Sequence, residues 1–208
     1  MSLRRKIALA AFAVLVAGLA AFALRSAVHE VRLARLMEQM RTAETSYHAA
    51  LANTLAVSSE GVGTDGRMAV AFTCRGAEKS PPIAWKNAPP GTQSFVAMMV
   101  DLDASTPRPR VWAFTHWILY NIPLTETSIA AGAADAGLRQ KGIEAGENSL
   151  GGHAYFGPCA PTEHRYLIRV YALDLPQIRP QTIDRQGIND AMKGHILSFG
   201  ELAIRAGP

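Results

Sequence analysis

The hydrophobic positions of this chain form one long apolar run near the start and several short runs further on. The long run extends from Ile7 to Leu24, 18 residues without a charge. Five short runs follow between Gly- and Pro-containing turns: MAVAFT, the segment 80–90, SFVAMMV, WILYNI and YLIRVYAL. Short runs rich in β-branched and aromatic residues, with turn signals between them, are typical of an all-β sandwich. The pattern therefore predicts a mainly β fold, a Greek-key-like β-sandwich, preceded by an apolar segment.

The first 26 residues are typical of a membrane-targeting segment. The basic residues Arg4, Arg5 and Lys6 precede the apolar run, which is near the lower limit for spanning a bilayer and longer than most signal-peptide cores. Both a signal anchor and a signal peptide cleaved after Ala21-Phe22-Ala23 stay open. Positive charge before the run favours a cytoplasmic N-terminus. We therefore expect the domain to be membrane-anchored on the periplasmic side, outside the cytoplasm, or exported after signal cleavage.

Residues 27–57 have the apolar spacing of an amphipathic helix. Leu36, Met40 and Tyr47 lie on one narrow stripe, and neither Pro nor Gly interrupts the segment. A solvated stalk, a helix lying on the domain and a helix that forms a weak homodimer all stay open. The following residues, 53–66, are rich in Ser, Gly and Thr, so the sequence predicts a domain boundary near Val57 and a folded domain at 58–208.

Two further predictions concern the second half of the chain. Residues 123–157 lack a strong apolar run and are expected to form a long loop, whose Ala- and Gly-rich part, 130–152, is either a flexible insertion or a flap beside a site. Helical spacing predicts a closing C-terminal helix from Ile188 to Leu202. The residues with this spacing are Ile188, Met192, Ile196 and Phe199.

Composition changes this picture in two ways. The net charge is +4, with much of the excess in the first 41 residues. Because Lys and Arg do not interleave with aromatic residues on the folded part, no nucleic acid is expected as a partner. The two cysteines, Cys74 and Cys159, are too far apart for a CxxC site or a zinc ribbon. A disulfide between them and two buried free thiols both stay open.

Polar clusters at the ends of strand-like runs are the candidate functional site. Asp101 and Asp103 follow one run, His116 begins another, and His164 precedes a third. A carboxylate that accepts a hydrogen bond from a histidine ring fixes its tautomer and favours the protonated form. The two rings would then present N–H donors to an anion, with turn amides around Gly157 adding more. Turn capping by the aspartates and core packing of the histidines are the structural alternatives.

A series of short segments carries a family resemblance. In order they are Cys74–Gly76, Ser80–Trp85, Pro90–Phe95, Asp101–Ala104, His116-Trp117, Asn121–Pro123, Gly157–Pro161, His164–Tyr166 and Ala191–Leu197. With this order and spacing the chain resembles the phosphatidylethanolamine-binding proteins, most closely the bacterial branch of Raf-kinase-inhibitor-like proteins. The resemblance implies a non-enzymatic domain with a small, metal-free and cofactor-free pocket for a phosphate-like anion or a phospholipid head group. It also makes a protein partner credible.

The resemblance also assigns residues to this pocket. Asp101 and His116 form the floor, and Tyr166 closes the pocket. The remaining ligand-binding candidates are Asp103, Phe114, Gly157, Pro158 and His164. Leu102 and Ser105 stand where the family usually has prolines, which leaves the acidic loop less preorganised.

Competing functions remain. In an interaction protein, the surface would inhibit a kinase or a protease and the pocket would be vestigial. A metal-dependent hydrolase could assemble a site from His116, His164 and Asp101, but the chain has no H-E-x-x-H spacing. It also has no G-x-S-x-G motif for a serine hydrolase.

Overall fold

The computed structural model describes residues 2–104, 113–133 and 135–208. Two compact units are present, Met1–Thr45 and Ser46–Pro208. Ser105, which stands at a position where a proline is expected, lies outside the described residues, as do Pro107 and Pro109 of the same loop.

The first unit is helical. Helix α1 extends from Leu3 to Ala49 without a break, so it includes the predicted targeting segment and most of the predicted amphipathic helix. At 1.5 Å per residue its 47 residues extend about 70 Å. The apolar side chains of Phe12, Leu19 and Phe22 are exposed. By length and composition this helix fits both a membrane anchor and a signal sequence. The helix ends at Ala49, short of the predicted end near residue 57, and residues 56–58 pair as a strand.

The second unit contains two antiparallel sheets. Their strands are β1 (Ala56–Ser58), β2 (Ile83–Lys86), β3 (Ser94–Asp101), β4 (Phe114–Pro123), β5 (Ser128–Ile129), β6 (Glu144–Ala145), β7 (His164–Leu173) and β8 (Ile196–Ala206). The smaller sheet has the order β1-β2-β5 and the larger the order β6-β4-β3-β7-β8. All pairs of neighbouring strands are antiparallel.

Both faces of the larger sheet are covered. On one face Phe95 and Met99 pack against Trp85 of the smaller sheet. On the other face Val96 and Met98 pack with Ile188 of helix α3 (Arg185–Met192). Every residue of β3 is therefore buried. This burial on both faces explains why SFVAMMV is a continuous apolar run rather than an alternating one.

Three sequence predictions are wrong in this unit. The MAVAFT run contains a 3₁₀ turn, Val70–Phe72, instead of a strand. The segment 123–157 is not one structureless loop, because it contains β5, helix α2 (Asp135–Gln140) and β6, with Ile143 fully buried. Residues 188–202 do not form a closing helix. Helix α3 ends at Met192, Gly194 has a φ of 84° that L side chains rarely adopt, and β8 then pairs with β7. The fold is thus sheet-rich, with a long N-terminal helix and a C-terminal strand.

Candidate functional site

Strand register brings remote polar residues together at one end of the larger sheet. Asp101, at the end of β3, lies opposite Phe114 at the start of β4 and opposite Tyr166 near the start of β7. In antiparallel pairs, directly opposed side chains lie on the same face. The end of one strand therefore meets the beginnings of its two neighbours, and side chains 13 to 65 residues apart in the sequence share one small region.

A β-bulge directs His116 into this region. The register shifts between Met99 and Val100, so that Met99 pairs with Trp117 and Val100 with Thr115. His116 is the extra residue, and a bulge of this kind re-aims a side chain. Its ring lies 4.8 Å from that of Phe114 and 5.2 Å from that of Tyr166, between centroids. Strict alternation, which would place His116 and Trp117 on opposite faces, does not apply here.

Asp101 organises the acidic loop and one histidine at the same time. Its Oδ1 accepts hydrogen bonds from the amides of Asp103 and Ala104, at 2.8 and 3.0 Å. Its Oδ2 accepts from Nδ1 of His164, at 2.7 Å. The carboxylate is buried, and the interaction fixes the His164 tautomer because a carboxylate only accepts. Asp103 is exposed, and its Oδ2 accepts from the Arg165 amide at 2.8 Å. Turn capping therefore describes Asp101, which also holds a ring, whereas Asp103 connects the acidic loop to the start of β7.

His116 is held by a backbone carbonyl. Its Nδ1 donates to the carbonyl oxygen of Phe156 at 2.6 Å, so Nε2 is the ring atom left for a ligand. Nε2 is buried without a hydrogen-bond partner among the described residues. Burial lowers the pKa of His116. The hydrogen bond to Phe156 and the charge of Asp101 oppose this shift, and His164 adds to it.

Tyr166 closes the same region from β7. The ring is fully buried, and the hydroxyl makes no hydrogen bond of good geometry to the described residues. Burial raises the pKa of Tyr166, and the charge of Asp101 adds to the rise. The Ala160 amide and the Arg75 guanidinium partly counter it. The phenol therefore stays protonated at neutral pH and offers an O–H donor.

The Gly157 turn is fastened to the segment that follows the 3₁₀ turn. Cys74 and Cys159 form a disulfide, and the Cys74 amide donates to the Pro158 carbonyl at 3.1 Å. The Gly157 amide donates to Oε1 of Glu78 at 3.1 Å. This amide is therefore occupied, and it does not add the free donor that the sequence suggested. Pro158 is buried in the wall of the turn.

Replacing Gly157 with alanine is expected to destabilise the domain. The added Cβ would lie 2.9 Å from the Cys74 nitrogen and 3.0 Å from the Thr73 carbonyl carbon, which are backbone atoms. Relieving this overlap should cost about 1 to 3 kcal/mol of unfolding free energy, measured by urea unfolding. Gly137→Ala is the matched control, because nothing lies within 4 Å of its added Cβ. Equal stability of the two variants would contradict the close packing at Gly157.

The structure thus places all eight candidate residues at one end of the larger sheet, with Asp103 the most exposed.

Sequence reasoning missed Phe156, Glu78 and Arg75. The carbonyl of Phe156 orients His116, and Glu78 binds the neighbouring amide. Arg75 donates to the Ala160 carbonyl at 3.1 Å. Each of these contacts joins a side chain to a backbone atom of a remote residue, and the residue types alone do not indicate such contacts. The φ of 51° at Glu78, in the left-handed region, is likewise evident only from the structure.

The other described clusters do not extend this site. His195 pairs with Asp174 at 2.9 Å on the surface, and His48 bonds the Tyr171 hydroxyl at 2.8 Å on the opposite face of the sheet. Among the described residues, no three His, Cys, Asp or Glu side chains are arranged to hold a metal ion.

Comparison with known proteins gives a consistent assignment. A family model described as phosphatidylethanolamine-binding protein matches residues 58–206. A UPF0098 protein of Methanothermobacter thermautotrophicus is 36% identical over 138 residues, which cover 66% of this chain and 88% of that protein. The UPF0098 protein PYRAB11530 of Pyrococcus abyssi is 36% identical over 146 residues, covering 67% and 78%.

Solved structures show the same fold. CT736 of Chlamydia trachomatis, described as a putative phosphatidylethanolamine-binding protein homolog, superposes with a TM-score of 0.66 at 26% identity, covering 76% of this chain and 99% of that one. YbcL of E. coli, described as a member of the mammalian PEBP family, gives a TM-score of 0.66 at 24% identity, covering 74% and 99%. Since the family model matches well over half of the sequence, this chain belongs to the phosphatidylethanolamine-binding protein family.

Proposed function

We propose that this protein is a non-enzymatic binding protein whose site takes a phosphate-like anion or a phospholipid head group. The observation that carries the proposal is the buried Nε2 of His116, which has no partner among the described residues. Leaving a buried polar atom unpaired costs about 1 to 3 kcal/mol, and a ligand would offset that cost. The Tyr166 ring lies beside the His116 ring, and the His164 ring lies beside Tyr166, so several polar groups converge on one small region.

Helix α1 supports a membrane-linked location. We propose that it holds the domain at a membrane with the domain outside the cytoplasm, or directs export and is then removed. A family with inhibitor-like members also makes a protein partner reasonable. The site and the partner surface would then be two parts of one regulator, in which ligand binding changes the affinity for the partner.

The binding proposal is tested by titrating the full-length chain, in micelles of an uncharged detergent, with phosphoethanolamine. Ring signals of labelled histidine are followed by NMR. We expect shifts for His116 and His164, and we expect His116→Ala to abolish the response. His195→Ala is the matched control, because this ring is 42% exposed and pairs with Asp174 on the surface. It should leave the response unchanged.

The response should weaken as pH rises through the histidine range. Burial lowers the pKa of His116, so the ring is neutral near pH 7 in the absence of a ligand. The negative charge of a bound anion favours the uptake of one proton by the complex, either on the ring or on the anion. Anion affinity is therefore greatest at low pH and falls by at most tenfold per pH unit, about 1.4 kcal/mol. No response to phosphoethanolamine at any pH would favour an interaction protein with a vestigial pocket. Hydrolysis of a phosphoester that depends on added Zn²⁺ would favour an enzyme.

A further inference from the structure

The hydrogen bond at Nδ1 determines what His116 offers to a ligand. A carbonyl oxygen only accepts, so the 2.6 Å contact with Phe156 means that Nδ1 carries the hydrogen. In the neutral ring Nε2 then carries a lone pair. This atom is buried, with the residue 3% exposed. The site therefore contains a buried hydrogen-bond acceptor where a simple anion site would have a donor.

The peptide that fixes this tautomer is itself held from the other side. The carbonyl of a trans peptide points away from the N–H that follows it. The Phe156 carbonyl faces His116, and the Gly157 N–H on the far side donates to Glu78. Turning the peptide over would break both hydrogen bonds. The lone pair at Nε2 is therefore built into the local structure.

Burial favours the neutral form of the ring, and this effect outweighs the negative charge of Asp101, which favours the protonated form. Asp101 and Tyr166 face the ring from β3 and β7, together with His164, and Glu78 lies behind the Phe156–Gly157 peptide. The carboxylate of Asp101 is buried and holds His164. A fully ionised oxyanion at Nε2 would place a lone pair of its oxygen against the lone pair of Nε2. It would also lie near the negative carboxylate of Asp101. An oxyanion that keeps one proton would donate to Nε2 and accept from the Tyr166 hydroxyl.

We propose that the site selects oxyanions that carry their own proton, namely phosphate monoesters in the monoprotonated form. Phosphodiesters and sulfates of similar size would be rejected, because they have no hydrogen to give to Nε2 of His116. This inference rests on the proposed anion-binding function and narrows its ligand class. The shared chemistry is a terminal phosphate group, on a soluble molecule or on a lipid.

The test compares two ligands that differ by one proton. Methyl phosphate has a second pKa of about 6, so near pH 6 a large part is the monoanion with one P–OH. Methyl sulfate is a monoanion of nearly the same size without a hydrogen. Both are titrated calorimetrically into the full-length chain in uncharged detergent, at several pH values. We expect methyl phosphate to bind at least tenfold more tightly near pH 6, with its affinity falling as the ligand loses its proton.

Histidine ¹⁵N shifts report the position of the proton directly. In the methyl phosphate complex Nε2 of His116 should keep the shift of an unprotonated, hydrogen-bonded nitrogen. If methyl sulfate binds as tightly as methyl phosphate and Nε2 becomes protonated, the ring supplies the proton, and the selectivity is refuted while anion binding stands. If neither ligand binds, anion binding itself is refuted, and the selectivity with it.

A variant and a lipid comparison complete the test. His116→Gln places an amide at this position, which can rotate to donate or to accept, so the preference for methyl phosphate should shrink at least fivefold. An unchanged preference would mean that another group distinguishes the protonated ligand from the unprotonated one.

Micelles that contain phosphatidic acid, a lipid monoester, are compared with micelles that contain phosphatidylethanolamine, a diester. Competition by phosphatidic acid alone supports a lipid source, and competition by neither supports a soluble one. Equal competition by both would overturn the proposal.

Discussion

Replacing Cys74 and Cys159 with serine is expected to lower the free energy of unfolding by about 4 to 5 kcal/mol. The disulfide closes a loop with a sequence separation of 85 residues, and a loop of this length loses much conformational entropy in the unfolded chain when it is cross-linked. The effect should be visible in urea unfolding followed by tryptophan fluorescence, because Trp85 and Trp117 are buried in the same core.

The same variant tests whether the disulfide also supports the site. It fastens the turn at Gly157 and Pro158 beside the Cys74 amide, and the carbonyl next to Gly157 holds His116. Phosphoethanolamine binding should therefore weaken. Dithiothreitol should reproduce both effects in the natural chain and change nothing in the serine variant, which is the internal control. A stability loss below about 1 kcal/mol would mean that the reduced chain keeps the two turns together without the cross-link.

The sequence predicts the three strands that carry the site because their signals are strong and local. SFVAMMV, WILYNI and YLIRVYAL become β3, β4 and β7, and polar residues at their ends come together because the strands are antiparallel neighbours. This part of the inference needs only that hydrophobic runs pair and that polar residues mark their ends.

Other elements were mispredicted because local patterns allow more than one structure. Ile188, Met192 and Ile196 have helical spacing, but Gly194 ends the helix, and pairing with β7 places Ile196 in a strand. The position of His116 depends on a bulge, which is set by its partner strand rather than by its neighbours in sequence. The orientation of the ring depends on the carbonyl of Phe156. Tertiary contacts of this kind have no one-dimensional signature.

Asp101→Ala is expected to lower the free energy of unfolding by about 3 kcal/mol, because it leaves three donors without their acceptor. These donors are the amides of Asp103 and Ala104 and Nδ1 of His164. The cost is high because the carboxylate is buried, with Asp101 only 3% exposed. Urea unfolding measures it. A loss below about 1 kcal/mol would show that water or loop movement replaces the carboxylate at little cost.

A conservative variant and a surface pair separate the two roles of Asp101. In Asp101→Asn the side-chain oxygen can still accept from the two loop amides, so we expect a loss of only about 1 kcal/mol. Its NH₂ group must then face Nδ1 of His164 and can only donate, so the ring should switch to the tautomer with hydrogen on Nε2, which ¹⁵N shifts detect. Asp174→Ala removes the carboxylate of a matched His–Asp pair whose side chains are 42% and 43% exposed, and we expect it to cost less than about 1 kcal/mol. The two His–Asp pairs have similar geometry but different burial. A large loss of unfolding free energy only in Asp101→Ala would therefore show that the three buried donors depend on this carboxylate for stability. An unchanged His164 tautomer in Asp101→Asn would show that another group orients this ring.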